Sequence, residues 1–508
     1  MSFRSFTEYK LLKEGTDENE SGGGGDNKSG EGGGALGAKV SLGDKNDFEP
    51  FQVSDDPKSE HYGKNKNLSP IVRAFKSGGN WGWSKDDNSG DDKPVKIGGK
   101  KLYLAGGAVR DHLAGKKARN IELATSASPD EVYHLLKQNG FEFVKEDGSS
   151  SKKKETSNRK EGSNQTFWVN QSNKNGRPFI FGIQVNEDEY ELECFTKSPR
   201  GVDCDREPGT QGDDADSRDF TMNGMYILLS NDNGPNKELT DYHGGIHHMA
   251  AGKVVPIGDM KKKFSEDPKR LMRYMRFMNG YGDSSKVSVE DRETVSKIGP
   301  ELLKKLDPET KMGEFKKGID KDGCDSRKFL KLFSDFGLLD SLFPGKSVDK
   351  DLPKELSEMG DKHMPIAWAL RGNPPEMLDD IGMEDGDLKK IGFLIKSLGM
   401  SENMDADTLM DLTTGMMSSG VSGRKLRDWG TKVGGLQGDV IDAFLGFSKS
   451  PRVKVFVSED GASEKINDAF LDLIDPFTGQ EDKRGIEERK KHLELDSFRK
   501  HMSHMRPA

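Results

Sequence analysis

The stretch Gly106-Gly107-Ala108-Val109-Arg110-Asp111, followed by Asn120-Ile121-Glu122-Leu123, decides how the rest of this chain is read. Just before it, Lys101-Leu-Tyr-Leu-Ala105 is a short apolar run that predicts a strand; the glycine pair predicts a tight turn and Ala108 to Leu113 a helix. Glycines at a strand-to-helix turn let the backbone approach a bound group closely, and a helix N-terminus with Arg110 beside it supplies positive potential. Such a turn suits a triphosphate. A glycine pair alone is equally an ordinary turn, so the surrounding pattern has to decide.

Moving outward, Ile121 to Ala124 predicts the next strand, and Ser128 followed by Pro129 announces a helix to Asn139. Phe141-Glu-Phe-Val144, Phe167-Trp-Val169, Phe179 to Val185 and Tyr190 to Phe195 are further strand candidates. Residues 145 to 165 form a polar insertion between them. From about Asp267 onward nearly every apolar pattern has helical period. The predicted fold class is α+β, a small mixed sheet with flanking helices followed by an all-helical remainder, without internal repeats.

Length and composition bound this reading. A chain of 508 residues exceeds what one core organises, so two to four units are expected. Hydrophobic content of 32% with 60 glycines implies that part of the chain is linker or solvated extension. Cys194, Cys204 and Cys324 show neither C-x-x-C spacing nor an even count, so no disulfide and no zinc site are expected. His243, His247 and His248 read as loop residues, because no cysteine or carboxylate completes a tetrahedral set. No run approaches the ~18 consecutive apolar residues of a membrane span, and the chain reads as soluble and cytoplasmic. A net charge of −9 places any nucleic-acid contact in local basic clusters rather than in the average field.

The string from Gly106 to Asp111, its continuation through Asn120, Glu122, Ala124-Thr125 and Pro129, and three later segments resemble the class II CCA-adding tRNA nucleotidyltransferases and bacterial poly(A) polymerases. The later segments are Arg218-Asp219-Phe220-Thr221-Met222-Asn223, Glu266-Asp267-Pro268-Lys269-Arg270-Leu271-Met272-Arg273, and Gly337-Leu-Leu-Asp-Ser-Leu-Phe343-Pro344. Asp241-Tyr242-His243-Gly244-Gly245 resembles the family's D-x-x-G-G turn. The resemblance implies a nucleotidyltransferase head followed by helical neck, body and tail. It divides the chain into a short helix at 1–20, a flexible Gly/Asp/Ser-rich extension at 21–94, a head at 95–255, a neck with a base-template helix at 256–345, and an RNA-binding body and tail at 346–508.

The same resemblance assigns roles. Gly106, Gly107, Arg110, Asp111, Arg218, Asp219 and Arg273 are expected to contact the nucleotide, and the pair Asp267 and Arg270 to read its base from one helix face. Asn120 and Glu122 occupy the positions of the family's two metal-binding aspartates, and Glu191 matches its strand glutamate; these three are the expected catalytic and Mg2+ ligands. Magnesium needs hard oxygen ligands, preferably charged, and Asn120 brings only a neutral carbonyl. Ser217 stands where the family has a first arginine. The implied activity is template-independent transfer of CMP and AMP from CTP and ATP to an RNA 3′ end, with CCA addition to tRNA slightly favoured over poly(A) synthesis. The alternative is a catalytically impaired RNA- or nucleotide-binding protein. In the tail, Arg424-Lys425-Leu-Arg427 and Arg489-Lys490-Lys491 are the candidate phosphate contacts.

Residues 1 to 45 carry too little apolar surface to offset the entropy of ordering. Deleting them is expected to leave the thermal unfolding of the remainder unchanged; a large fall in melting temperature would show that Phe3, Phe6, Tyr9 and Leu12 dock on the core.

Overall fold

The computed structural model describes residues 49–448 except 60–63, 85–92, 98, 119, 145–164, 173–177, 198–206, 321–324 and 402–405. The expected helix near the start, the linker at 21–34, nearly all of the polar insertion and the basic run at 489–491 lie outside the described residues. The chain divides into two compact units, Met1–Lys263 and Phe264–Ala508.

The first unit is built on an eight-stranded mixed sheet in the order β12-β10-β4-β5-β9-β8-β7-β6. Its strands are β4 (Leu102–Ala105), β5 (Ile121–Thr125), β6 (Glu142–Phe143), β7 (Gln165–Ser172), β8 (Pro178–Val185), β9 (Asp188–Cys194), β10 (Met225–Leu228) and β12 (Leu239–Asp241). β4 is covered on both faces, which is why its sequence is a continuous apolar run rather than an alternating one. β5 and β9 pair in parallel with Glu122 opposite Glu191, and β4 pairs antiparallel with both β5 and β10. The two-residue connection of β8 to β9 places Asn186 at φ 54°, a left-handed conformation that asparagine tolerates. The helix Pro129–Gln138 begins with the capping box foreseen at Ser128, whose side chain accepts from Glu131 while Glu131 reaches back to Ser128.

Composition hides one part of this unit. Residues 51–77, placed in the extension that the apolar run Ile71-Val-Arg-Ala-Phe75 interrupts, form β1 (Phe51–Val53), a short 3-10 turn and the helix Ser69–Ser77. β1 pairs with β11 (Gly234–Asn236), and Phe51, Val53, Leu68, Ile71, Val72 and Phe75 are buried. Asn67 donates to the Asp188 carboxylate at 2.8 Å and accepts from Asn186 at 2.7 Å, tying the segment to the β8–β9 turn. The few apolar residues are spaced to fill one face, and window composition averages that away. Two further strands, β2 (Gly79–Ser84) and β3 (Lys93–Ile97), pair antiparallel.

The second unit is helical throughout its described residues. Phe315 stacks on Phe329 at 5.0 Å, with Phe333 and Phe343 at the edges of this cluster. The helix Ser326–Asp335 ends before Gly337, whose φ of 67° stops it, and Leu339–Leu342 follows as one turn. Trp429 is fully buried, and its indole N–H is shared between the Leu394 carbonyl and the Ser397 hydroxyl.

Farther along, His363 is buried between two carboxylates: its Nε2 lies 2.8 Å from Asp387 and its Nδ1 3.5 Å from Asp361. Lys425 pairs with Asp361 at 2.6 Å and Lys316 with Asp387 at 3.2 Å. Burial alone would raise both carboxyl pKa values, but the contacts with His363 and the lysines outweigh it and hold both below the ordinary carboxylate range. A depressed carboxyl pKa contributes stability that is complete above the unfolded value of about 4 and is lost as pH falls from there. Urea unfolding midpoints are therefore expected to drop as pH is lowered from about 4, and Asp361→Asn should flatten that drop; an identical pH profile in the variant would remove the node from the account.

Candidate active site

The turn after β4 sets the geometry. Gly106 has φ 62°, and the helix Gly106–Leu113 starts there with Ala105 in extended conformation as its N-cap. A Cβ on Gly106 would overlap both the Glu122 carboxylate and the Arg218 guanidinium, and a Cβ on Gly107 would lie 3.2 Å from Arg110 Nη2. Each glycine thus faces an arginine, one from the neighbouring helix end and one from its own helix.

Arg218 follows the helix Gln211–Ser217, which Thr210 and Asp213 start with a reciprocal capping box. Its Nε lies 3.2 Å from the Asp214 carboxylate and 3.2 Å from the Tyr226 hydroxyl, while Tyr226 donates to Asp214 at 2.5 Å. Nη1 is 3.8 Å from Glu122. Burial works against the guanidinium charge, but Tyr226, Asp214, Glu193 and Glu122 outweigh it and raise the pKa well above the ordinary arginine value. Deleting one partner of such a buried pair costs about 3–5 kcal/mol.

Arg110 organises the other flank. Its Nε donates to Asp111 at 3.0 Å and its Nη1 to the Asn223 side-chain amide oxygen at 2.6 Å. Asn223 in turn donates to Asp219 at 2.9 Å, and Asp219 also accepts from the Phe220 N–H. Sequence reading groups Arg110, Asp111, Arg218 and Asp219 as nucleotide contacts, and the structure brings all four around the Gly106-Gly107 turn.

The carboxylates lie on the adjacent strands. Asn120 is exposed just before β5, two residues from Glu122, and Glu191 lies across from Glu122 in parallel register, so the three share one sheet face. Glu191 accepts from Asn170 at 3.3 Å. Glu193, two residues on, is buried and belongs to the Arg218 cluster. Among the described residues no three His, Cys, Asp or Glu side chains meet as a metal-binding group. Two carboxylates and an amide carbonyl form an all-oxygen donor set that fits one hard divalent ion, short of the charge that a pair of ions requires.

The second unit holds the remaining candidates. Asp267 does not share a helix with Arg270 as the spacing suggests: Pro268 ends the preceding segment, the helix runs Lys269–Gly280, and Asp267 accepts from the Lys269 N–H at 3.0 Å. Arg270 is buried and pairs with Glu266 at 3.2 Å, while the Arg273 guanidinium lies 5.7 Å from the Phe277 ring centre. In the tail, Lys425 is paired with Asp361 and Arg427 with Asp442, and Arg424 is exposed beside them.

The sequence match to known proteins falls on this ground. Residues 102–255 match the poly(A) polymerase head domain. The chain is 30% identical over 255 residues to the CCA-adding enzyme of Bacillus velezensis, covering 49% of this chain and 53% of that protein. It is 28% identical over 265 residues to poly(A) polymerase I of Haemophilus influenzae, covering 49% of each. Residues 102–255 thus match a poly(A) polymerase head, and the chain is similar to CCA-adding enzymes and poly(A) polymerases alike. The chain spans about half the length of these curated relatives. Among solved structures it is similar to the Bacillus stearothermophilus CCA-adding enzyme in complex with CTP, at 17% identity and a TM-score of 0.47, over 78% of this chain and 95% of that one.

Within this head, sequence reading passed over Asp214, Tyr226 and Asn223 as site residues. Asp214 stands four residues before Arg218, a helical spacing that could have flagged it; Tyr226 is brought in by strand pairing and leaves no local signal. The D-x-x-G-G turn is explained by capping: the Asp241 carboxylate accepts from the N–H groups of His243, Gly245 and Ile246 at the start of the helix Gly245–Ala250. His248 and the Thr221 hydroxyl are hydrogen-bonded at 3.0 Å.

Because Gly106 needs a left-handed backbone and open space, Gly106→Ala is expected to destabilise the chain by about 1–2 kcal/mol from the backbone alone and to displace Glu122. Gly107→Ala, at negative φ, should cost less. Equal urea unfolding midpoints for the two variants would contradict this reading of the turn.

Proposed function

We propose that this chain is a template-independent RNA nucleotidyltransferase that transfers CMP and AMP from CTP and ATP to an RNA 3′ end, with CCA addition to tRNA slightly favoured over poly(A) synthesis. The observation that supports it most is the glycine turn with an arginine against each glycine and carboxylates on the strands beside it. Backbone N–H groups at the helix start and the two guanidinium groups supply the donors that a triphosphate needs. The preference for CCA addition agrees with the name of the Bacillus velezensis relative, a CCA-adding enzyme, and base choice is assigned to Asp267 and Arg270.

A divalent ion, Mg2+ by the chemistry of the donors, would be held by Glu122 and Glu191 with the Asn120 carbonyl. When bound it supplies charge for the attacking hydroxyl and the leaving pyrophosphate. The chain's own residues orient the nucleotide: Arg218 and Arg110 hold the phosphate side of the turn, and Asp219 fixes Asn223 and through it Arg110. Asn120 brings no negative charge, so turnover is slow. A second reading, nucleotide binding without turnover, is favoured by that same position.

Incubation with labelled CTP and ATP on tRNA lacking its 3′ end tests both. Slow, magnesium-dependent incorporation is expected, and Asn120→Asp with Glu122→Asp should raise the rate at least about tenfold, or ~1.4 kcal/mol of barrier. Nucleotide binding without incorporation in either protein would favour the second reading, whereas full activity in the unaltered chain would mean that Asn120 is not a metal-facing position.

A further inference from the structure

Tyr226 and Asp214 have no part in the reading above, yet both are buried at its centre. Asp214 is fully enclosed, and its carboxylate is met by the Tyr226 hydroxyl at 2.5 Å and Arg218 Nε at 3.2 Å. Tyr226 stands on β10 directly opposite Ala105, the residue that launches the glycine turn. Its ring is fixed edge-on by Tyr103 at 6.2 Å and Phe195 at 5.9 Å, and the Arg218 guanidinium lies 5.3 Å from the ring centre. With Nε shared between a carboxylate and a phenol, the guanidinium plane is set, and Nη1 is directed to the space between Gly106 and Glu122.

We propose that Tyr226 and Asp214 are positioning residues that lock Arg218 against the glycine turn and thereby set the affinity for the nucleoside triphosphate. The inference rests on the proposed nucleotidyltransferase reading. A long, charged side chain bound at one point keeps rotational freedom, and each added anchor lowers the entropy lost when phosphate arrives. The strand pairing of Tyr226 with Ala105 makes the anchor and the turn parts of one rigid element, so the arginine keeps its distance to the backbone donors. The register is what distinguishes this pair from a buried ion pair that only supports the fold.

Tyr226→Phe removes the hydroxyl and keeps the ring, which makes it the primary test. Measured on the full chain with ATP and magnesium ions, the variant is expected to bind ATP about tenfold more weakly, the size of a lost hydrogen bond to a charged group. Its KM for ATP should rise while its KM for the tRNA substrate stays unchanged, and its melting temperature should fall by no more than the loss of one buried hydrogen bond implies. Asp214→Asn, which keeps an acceptor but loses the charge, should shift ATP affinity in the same direction. Undiminished ATP binding by Tyr226→Phe overturns the inference alone. A parallel loss of ATP binding and tRNA binding also overturns it, because the pair would then be structural. A parent chain that binds no ATP overturns the nucleotidyltransferase reading and this inference with it.

Discussion

A buried guanidinium constrains the head more than any other group. Arg218 is enclosed by protein, and a charge in that position persists only where opposite charges and hydrogen-bond acceptors surround it. Its requirements reach into four elements: Asp214 from the helix before it, Tyr226 from β10, Glu122 from β5 and Glu193 from β9. The turn at Gly106 completes the enclosure and can do so only without a side chain. Sequence positions more than a hundred residues apart are therefore coupled by one electrostatic demand, which makes the glycine pair an element of the charge network as much as of the backbone.

The sheet and its helices were legible because their signals are local. The apolar run at Leu102–Ala105, the Ser128-Pro129 start and the helical period after Asp267 each state their element within a few residues, and the structure follows them within small shifts of boundary. Beyond the apolar run Ile71-Val-Arg-Ala-Phe75, residues 51–77 were not legible, since β1 needs the distant β11 as partner and Asn67 needs the β8–β9 turn. The site divides along the same line. Gly106, Arg110 and Arg218 could be found from motif strings, whereas Tyr226 enters through strand register, which no window of sequence contains. Asp267 and Arg270 show the converse error: a spacing of three suggested one helix face, and Pro268 displaced the helix start past the first of them.

In the helical unit two of the basic residues singled out as phosphate contacts are occupied. Lys425 holds Asp361 and Arg427 holds Asp442. A cation already paired must exchange one carboxylate for a phosphate, so the gain on binding is smaller than a charge count implies. Arg424, exposed beside them, is the better placed of that run to meet an external anion.

The field around the glycine turn bears on what Asn120 does. Two guanidinium groups, Arg110 and Arg218, face five carboxylates from Asp111, Glu122, Glu193, Asp214 and Asp219. Taken alone, that balance repels a triphosphate, and a divalent cation arriving with the nucleotide reverses it. An aspartate at position 120 would deepen the negative field, strengthening the hold on the cation and the penalty for a nucleotide without one. Asparagine relaxes both. On the proposed reading this chain therefore gives up part of its grip on the metal while lowering the electrostatic cost of admitting the phosphates, so nucleotide affinity and turnover rate are governed by different side chains: the arginine network for the first, the strand carboxylates for the second.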